Sequence, residues 1–186
     1  MIISLVFMLV ALQTAPAKDP HAGQFTEATG RRCASCHDKT PHAEDMYRAA
    51  ARMETMTTDL SKGPLKPYGS VTCFTCHRGG GPEHMMAHPA ALNRSAVRAM
   101  LNEWPADARA TPEPVRLTMN EYAVSLGVKC EFCHMPGNWK ADVKPPMKVT
   151  RVMETVMKEF PKYFDFANAS AFTCFTCHQG AVKVAR

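Results

Sequence analysis

The sequence predicts a mainly α chain with extensive loops, and three observations carry that expectation. Helix start and stop signals recur between Thr40 and Pro161. No stretch alternates apolar and polar residues as a half-buried strand would. A five-residue cluster, Cys-x-x-Cys-His, occurs four times, at residues 33–37, 73–77, 130–134 and 174–178, and uses all 8 cysteines.

Taken in order, residues 2–12 (IISLVFMLVAL) form an apolar run that stops well short of the roughly 20 residues a spanning helix needs. Ala15-Pro16-Ala17 follows as a small-x-small cleavage site, so residues 1–17 read as an export signal cut before Lys18. No lysine or arginine precedes the run and Pro16 falls inside the site, which leaves an uncleaved short anchor as the other reading. Either way the body is expected to be periplasmic or extracellular, with membrane association in the anchored case.

Thr40 can cap a helix that begins at Pro41, carries Glu44 and Asp45 in its first turn and ends near Gly63-Pro64. Residues 78–91 (RGGGPEHMMAHPAA) have the glycine and proline of a linker, and His84 and His88 there are expected to be solvated. A short helix over 94–104 would set Val97, Met100, Leu101 and Trp104 on one face. Another is expected over 113–126 with Gly127 as its stop, and a last one opens at Pro145-Pro146 and closes at Pro161.

The clusters pair as 33 with 73 and 130 with 174, spaced by 40 and 44 residues. ARMETM (51–56) and TRVMETVM (150–157) precede the second cluster of each pair, and HRGG and HQGA follow it. An internal duplication accounts for this: a first unit over 18–81, a linker with a short helix over 82–112, and a second unit over 113–186.

The formal charge of +5 is spread along the chain, which gives nucleic-acid binding little support. Three chemistries compete for the cysteines. Disulfides suit an exported chain but do not require a histidine after each pair. With 8 histidines in 186 residues, four such coincidences by chance have odds of about one in 300,000. Zinc knuckles closing one site usually lie about 15–20 residues apart, whereas 36 residues separate Cys36 from Cys73 and 40 separate Cys133 from Cys174.

Covalent haem explains every element of the cluster. Two thiols at this spacing reach the two vinyl groups of one porphyrin, and the next residue brings an imidazole to the iron. Cys33, Cys36 and His37; Cys73, Cys76 and His77; Cys130, Cys133 and His134; and Cys174, Cys177 and His178 should therefore hold four covalently bound c-type haems. A chain of this size has a modest core of its own, so the macrocycles would form much of the interior of two dihaem units.

The sixth iron position decides between electron transfer and catalysis. Met119 lies 11 residues before Cys130, Met53 lies 20 before Cys73 and Met153 lies 21 before Cys174. Met53 and Met153 stand at equivalent places of the repeat, with Met56 and Met157 a turn further on as alternatives that otherwise pack on the haem edge. For the first haem His21, 12 residues before Cys33, occupies the comparable place; His42, Met46 and an open position are the alternatives. Ligation by His21 would give that haem the lowest potential, since methionine ligation raises it.

The runs ARMETMTTDL...VTCFTCHRG, MNEYAVSLGVKCEFCH and TCFTCHQG resemble the tetrahaem cytochrome subunit bound to purple-bacterial photosynthetic reaction centres, over about residues 33–181. The resemblance implies Met53 rather than Met56 as an iron ligand, and Met119 likewise. It departs at the first haem, where the family has a methionine and this chain offers His21. It departs also at the fourth, where the family's histidine has no counterpart in residues 57–72 and Met153 takes its place. This chain is shorter and lacks the lipid-bearing N-terminal cysteine of many members.

The resulting expectation is an electron-transfer protein rather than an enzyme. It would pass single electrons from a membrane or soluble donor to an oxidised partner, either a reaction centre or a respiratory complex. Two other readings stand beside it: a homo-oligomeric extracellular cytochrome filament, and a multihaem reductase of a small oxyanion that uses the first haem.

Overall fold

The computed structural model describes residues 20–79, 92–164 and 172–184, with side chains from residue 24 onward. The expected signal segment and most of the expected linker, including His84 and His88, lie outside the described residues. The described chain is mainly helical, and its only β feature is an isolated bridge between Met135 and Asn138. No described helix is long and apolar enough to cross a membrane.

Among the described residues nine α-helices follow in order: α1 (Pro20–Thr29), α2 (Ala34–His37), α3 (Pro41–Lys62), α4 (Cys73–His77), α5 (Arg94–Ala99), α6 (Glu113–Leu126), α7 (Cys130–Cys133), α8 (Pro145–Glu159) and α9 (Cys174–His178). The four short helices α2, α4, α7 and α9 are the cysteine clusters themselves. Helices α3 and α6 show local chemistry setting helix boundaries. The Thr40 hydroxyl accepts a hydrogen bond from the Ala43 N–H, Pro41 takes the first turn, and the Gly63 N–H closes α3 on the Asp59 carbonyl. Helix α6 stops at Gly127, whose φ of 64° is the left-handed conformation glycine adopts readily.

Two boundaries differ from expectation. The helix over 94–104 is shorter: α5 runs from its Asn93 cap to Ala99 and tightens into a 3₁₀ turn over Met100–Glu103. Pro105 explains the stop, because the residue before a proline is pushed to extended geometry, and Trp104 sits at ψ 138°. Helix α8 ends at Glu159, two residues before Pro161, which lies inside a 3₁₀ turn over Phe160–Tyr163. Helix α1 has no counterpart among the expected elements.

Helices α3 and α8 contribute to one buried core. Met56 and Leu60 from α3 and Val156 from α8 are buried together with Phe160, Tyr163 and Phe164, and Met53, Leu65, Val71, Met157 and Phe172 pack against them. Phe160, Phe164 and Phe172 stack with centroids 5.1–6.4 Å apart. Tyr163, whose ring is buried here, donates its hydroxyl to Asp59 of α3 at 2.9 Å. The residues that meet stand at matching positions of the similar runs 51–60 and 151–160, Met56 against Val156 and Leu60 against Phe160.

The equivalence extends to the backbone. Gly79 donates to the Ala28 carbonyl at the end of α1, and Gly180 donates to the Ser125 carbonyl at the end of α6, both at 2.9 Å. The residues before these glycines, Arg78 and Gln179, are the two non-glycine residues with positive φ among the described residues, 59° and 48°. Each half thus ties the end of its second cluster onto the helix that precedes its first.

A second, smaller group of buried side chains holds α5 against α6. Asn120 is 1% exposed; its amide donates to the Val97 carbonyl at 3.0 Å and its oxygen accepts from the Trp104 indole at 2.7 Å. Arg116 covers the Trp104 ring at 5.8 Å.

Candidate functional site

Each Cys-x-x-Cys-His cluster forms a turn of helix, so its two thiols lie on one side, three residues apart, with the histidine at the end of the turn. In α4 the buried Thr75 hydroxyl accepts from the Thr72 N–H at 3.0 Å, and in α9 the buried Thr176 accepts from Thr173 at 3.1 Å. The identical CFTCH sequences therefore start their helices identically. All eight cysteines are free thiols. Among the described residues no three of His, Cys, Asp and Glu converge on a point that could hold a bare metal ion.

His134 and His178 are each oriented by a carbonyl. His134 Nδ1 lies 2.7 Å from the Trp139 carbonyl, and His178 Nδ1 lies 3.0 Å from that of Ala181. A proton held on Nδ1 by such a bond leaves the Nε2 lone pair for a metal. Burial pushes the His178 pKa down, which favours the neutral ring a ligand must have. His37 is exposed and meets the Tyr47 ring edge-on at 5.8 Å.

The second and fourth clusters come together. Cys76 Sγ and Cys177 Sγ approach to 3.2 Å. Arg78 Nη2 donates to the carbonyls of Cys177 and His178, each at 2.9 Å, and Gln179 returns a bond from Nε2 to the Cys76 carbonyl at 3.2 Å. The hydrogen bond with Cys177 pushes the Cys76 thiol below its ordinary value, whereas Cys177 and Cys174 resist ionisation. The hydrogen bond to Cys76, followed by burial, holds Cys177 well above the ordinary thiol value, and burial pushes Cys174 up to about 11. In the first and third clusters α2 packs on α3, and α7 packs on α8.

The donor set and its surroundings fit covalent haem. Large apolar side chains are exposed beside the clusters: Tyr47 near the first, Phe132 and Met135 around the third, and Val182 after the fourth. An open cleft of about 440 Å³ lies at the first cluster, lined by Cys36, Asp38, Lys39, Thr40, Pro41, Glu44 and Tyr47. Exposed apolar surface at all these points is what a bound macrocycle would cover.

Met53, Met119 and Met153 are all partly buried on α3, α6 and α8. Met56, by contrast, is 5% exposed inside the α3–α8 core, where its thioether is committed to packing. Met119 precedes Asn120, so the buried amide fixes the helical turn that carries it. Glu154, next to Met153, accepts the Tyr122 hydroxyl at 2.8 Å, which ties α8 to α6; burial first, and Glu154 second, push the Tyr122 pKa well above the usual phenol value. His21 lies in the first turn of α1, and its side chain is outside the described part. His42 is exposed, and Met46 partly buried, in the first turns of α3.

Several residues of the site escaped sequence reasoning: Arg78, Gln179, Tyr122, Asn120 and Trp139. The one available signal was the pairing of HRGG with HQGA, which marks positions 78 and 179 as equivalents. No family model matches the chain.

Proposed function

We propose that this protein is an exported tetrahaem c-type cytochrome that transfers single electrons between a donor and an oxidised partner protein. The observation that carries the reading is that all eight cysteines stand in four Cys-x-x-Cys turns, each followed at once by a histidine. Cys33/Cys36, Cys73/Cys76, Cys130/Cys133 and Cys174/Cys177 would hold the four groups, and His37, His77, His134 and His178 would provide the proximal ligands. Met53, Met119, Met153 and His21 are the proposed partners on the other face. A haem so held supplies a reversible one-electron couple.

What the chain contributes is placement. The close approach of Cys76 to Cys177 brings the second and fourth clusters together, while α2 packs on α3 and α7 on α8. The Asn120 and Tyr122–Glu154 bonds hold the helices that carry Met119 and Met153. The reaction-centre-like sequence runs favour a membrane electron-transfer complex as partner.

Coulometric titration of the purified holoprotein tests the proposal. It should take up four electrons per chain, and the reduced protein should not bind carbon monoxide. Uptake of carbon monoxide would mean an open iron position and would move the reading toward a reductase.

A further inference from the structure

Arg78 and Gln179 occupy equivalent positions in the two halves, directly after the histidine of the second and the fourth cluster. Both have left-handed backbones, and both cross to the opposite half. Arg78 Nη2 bonds the carbonyls of Cys177 and His178 at 2.9 Å each, and Gln179 Nε2 bonds the Cys76 carbonyl at 3.2 Å. The two side chains therefore do the same structural work, but only one carries a charge. Arg78 Nε is buried and has no hydrogen-bond partner, so this guanidinium is partly withdrawn from water, where its field is weakly screened.

We infer that Arg78, supplied by the first half, is a tuning residue for the fourth site, raising the reduction potential of the group held by Cys174, Cys177 and His178 above that of its counterpart at the second site. The inference rests on the four-haem reading. A fixed positive charge against the residue that provides an iron ligand disfavours the ferric state, which carries one positive charge more than the ferrous state. Gln179 exerts no such effect on the second site, because its amide is neutral. The exchange across the halves is thus asymmetric where the scaffold is symmetric. It biases an electron arriving at this pair toward the fourth site.

The test is a spectroelectrochemical titration of the holoprotein, wild type against Arg78→Gln, Arg78→Lys and the double swap Arg78→Gln/Gln179→Arg. Arg78→Gln installs the side chain that already performs the crossing at position 179, so the fold should persist. Arg78→Lys keeps the charge, and one ammonium can satisfy two carbonyls that a single nitrogen satisfies in the wild type. The expected result is one midpoint shifted downward in Arg78→Gln, unshifted in Arg78→Lys, and a different midpoint shifted upward in the double swap. Unmoved midpoints in Arg78→Gln, or equal shifts in Arg78→Gln and Arg78→Lys, would overturn the inference while leaving the four-haem reading intact. A protein with no haem bands would overturn that reading, and the inference with it.

Discussion

Gly127 is the position where a single methyl group should do most damage. Its φ is 64°, a region that costs an L-residue about 1–2 kcal/mol. A Cβ there would lie 2.1 Å from the Gly180 carbonyl oxygen and 3.0 Å from its carbon. The obstacle is backbone, so no rotamer change relieves it, and the turn after α9 has to move away by roughly 1 Å to reach ordinary contact at 3.0–3.4 Å. That movement breaks the bond from Gly180 N–H to the Ser125 carbonyl, worth about 1 kcal/mol. The total for Gly127→Ala is about 3 kcal/mol. Gly137 is the control: its φ is 76°, but a Cβ would meet nothing within 4 Å, so only the conformational cost applies. For a chain of 186 residues, thermal unfolding followed by circular dichroism should show Tm lower by about 6–12 °C for Gly127→Ala and about 2–8 °C for Gly137→Ala, with the larger loss at Gly127. Equal losses would refute the close approach of α9 to the end of α6.

Three other perturbations separate the roles assigned above. Asn120→Ala leaves the Trp104 indole and the Val97 carbonyl unpaired in the interior, and should cost about 2–4 kcal/mol in denaturant unfolding; a loss under 1 kcal/mol would show that water replaces the amide. Met56→Ala should destabilise by about 2–5 kcal/mol with the haem spectrum unchanged, whereas Met53→Ala should alter the low-temperature EPR signal of one haem; the reverse pattern would exchange their roles. Tyr122 binds its proton more tightly in the folded chain than in the unfolded one, so its contribution is complete below about pH 10 and is lost as pH rises above that. Tyr122→Phe should therefore be less stable at pH 7 by about 1–2 kcal/mol and decline less steeply above pH 10, and parallel declines would count against the Tyr122–Glu154 bond.

Much of the helical framework could be read from local chemistry. Helices α3 and α6 begin and end at the residues the sequence suggests, because Thr40, Pro41, Gly63 and Gly127 act within a few residues of themselves. Helix α1 could not be read this way. Its sequence, PHAGQFTEAT, has no strong apolar stripe, and its end is tied down by Gly79, which lies 51 residues after Ala28. The 94–104 segment misled for a related reason: its apolar spacing is helical, but Pro105 and the Trp104–Asn120 bond set where the helix gives way.

The four Cys-x-x-Cys-His clusters were equally legible, because spacing alone defines them. Their mutual arrangement was not. The contact of Cys76 with Cys177 and the crossing of Arg78 and Gln179 join residues about 100 apart, a separation at which pattern carries no geometry. Repeat equivalence identified which positions correspond, and only the fold revealed that corresponding positions touch.

The central claim is most directly tested by intact-mass spectrometry of the protein after export and maturation, recorded under denaturing and reducing conditions. The account predicts the mass of the processed chain plus four haems, with no free thiol left to alkylate. A mass equal to the bare chain, with eight alkylatable thiols after reduction, would contradict it and return the cysteines to disulfide or metal chemistry.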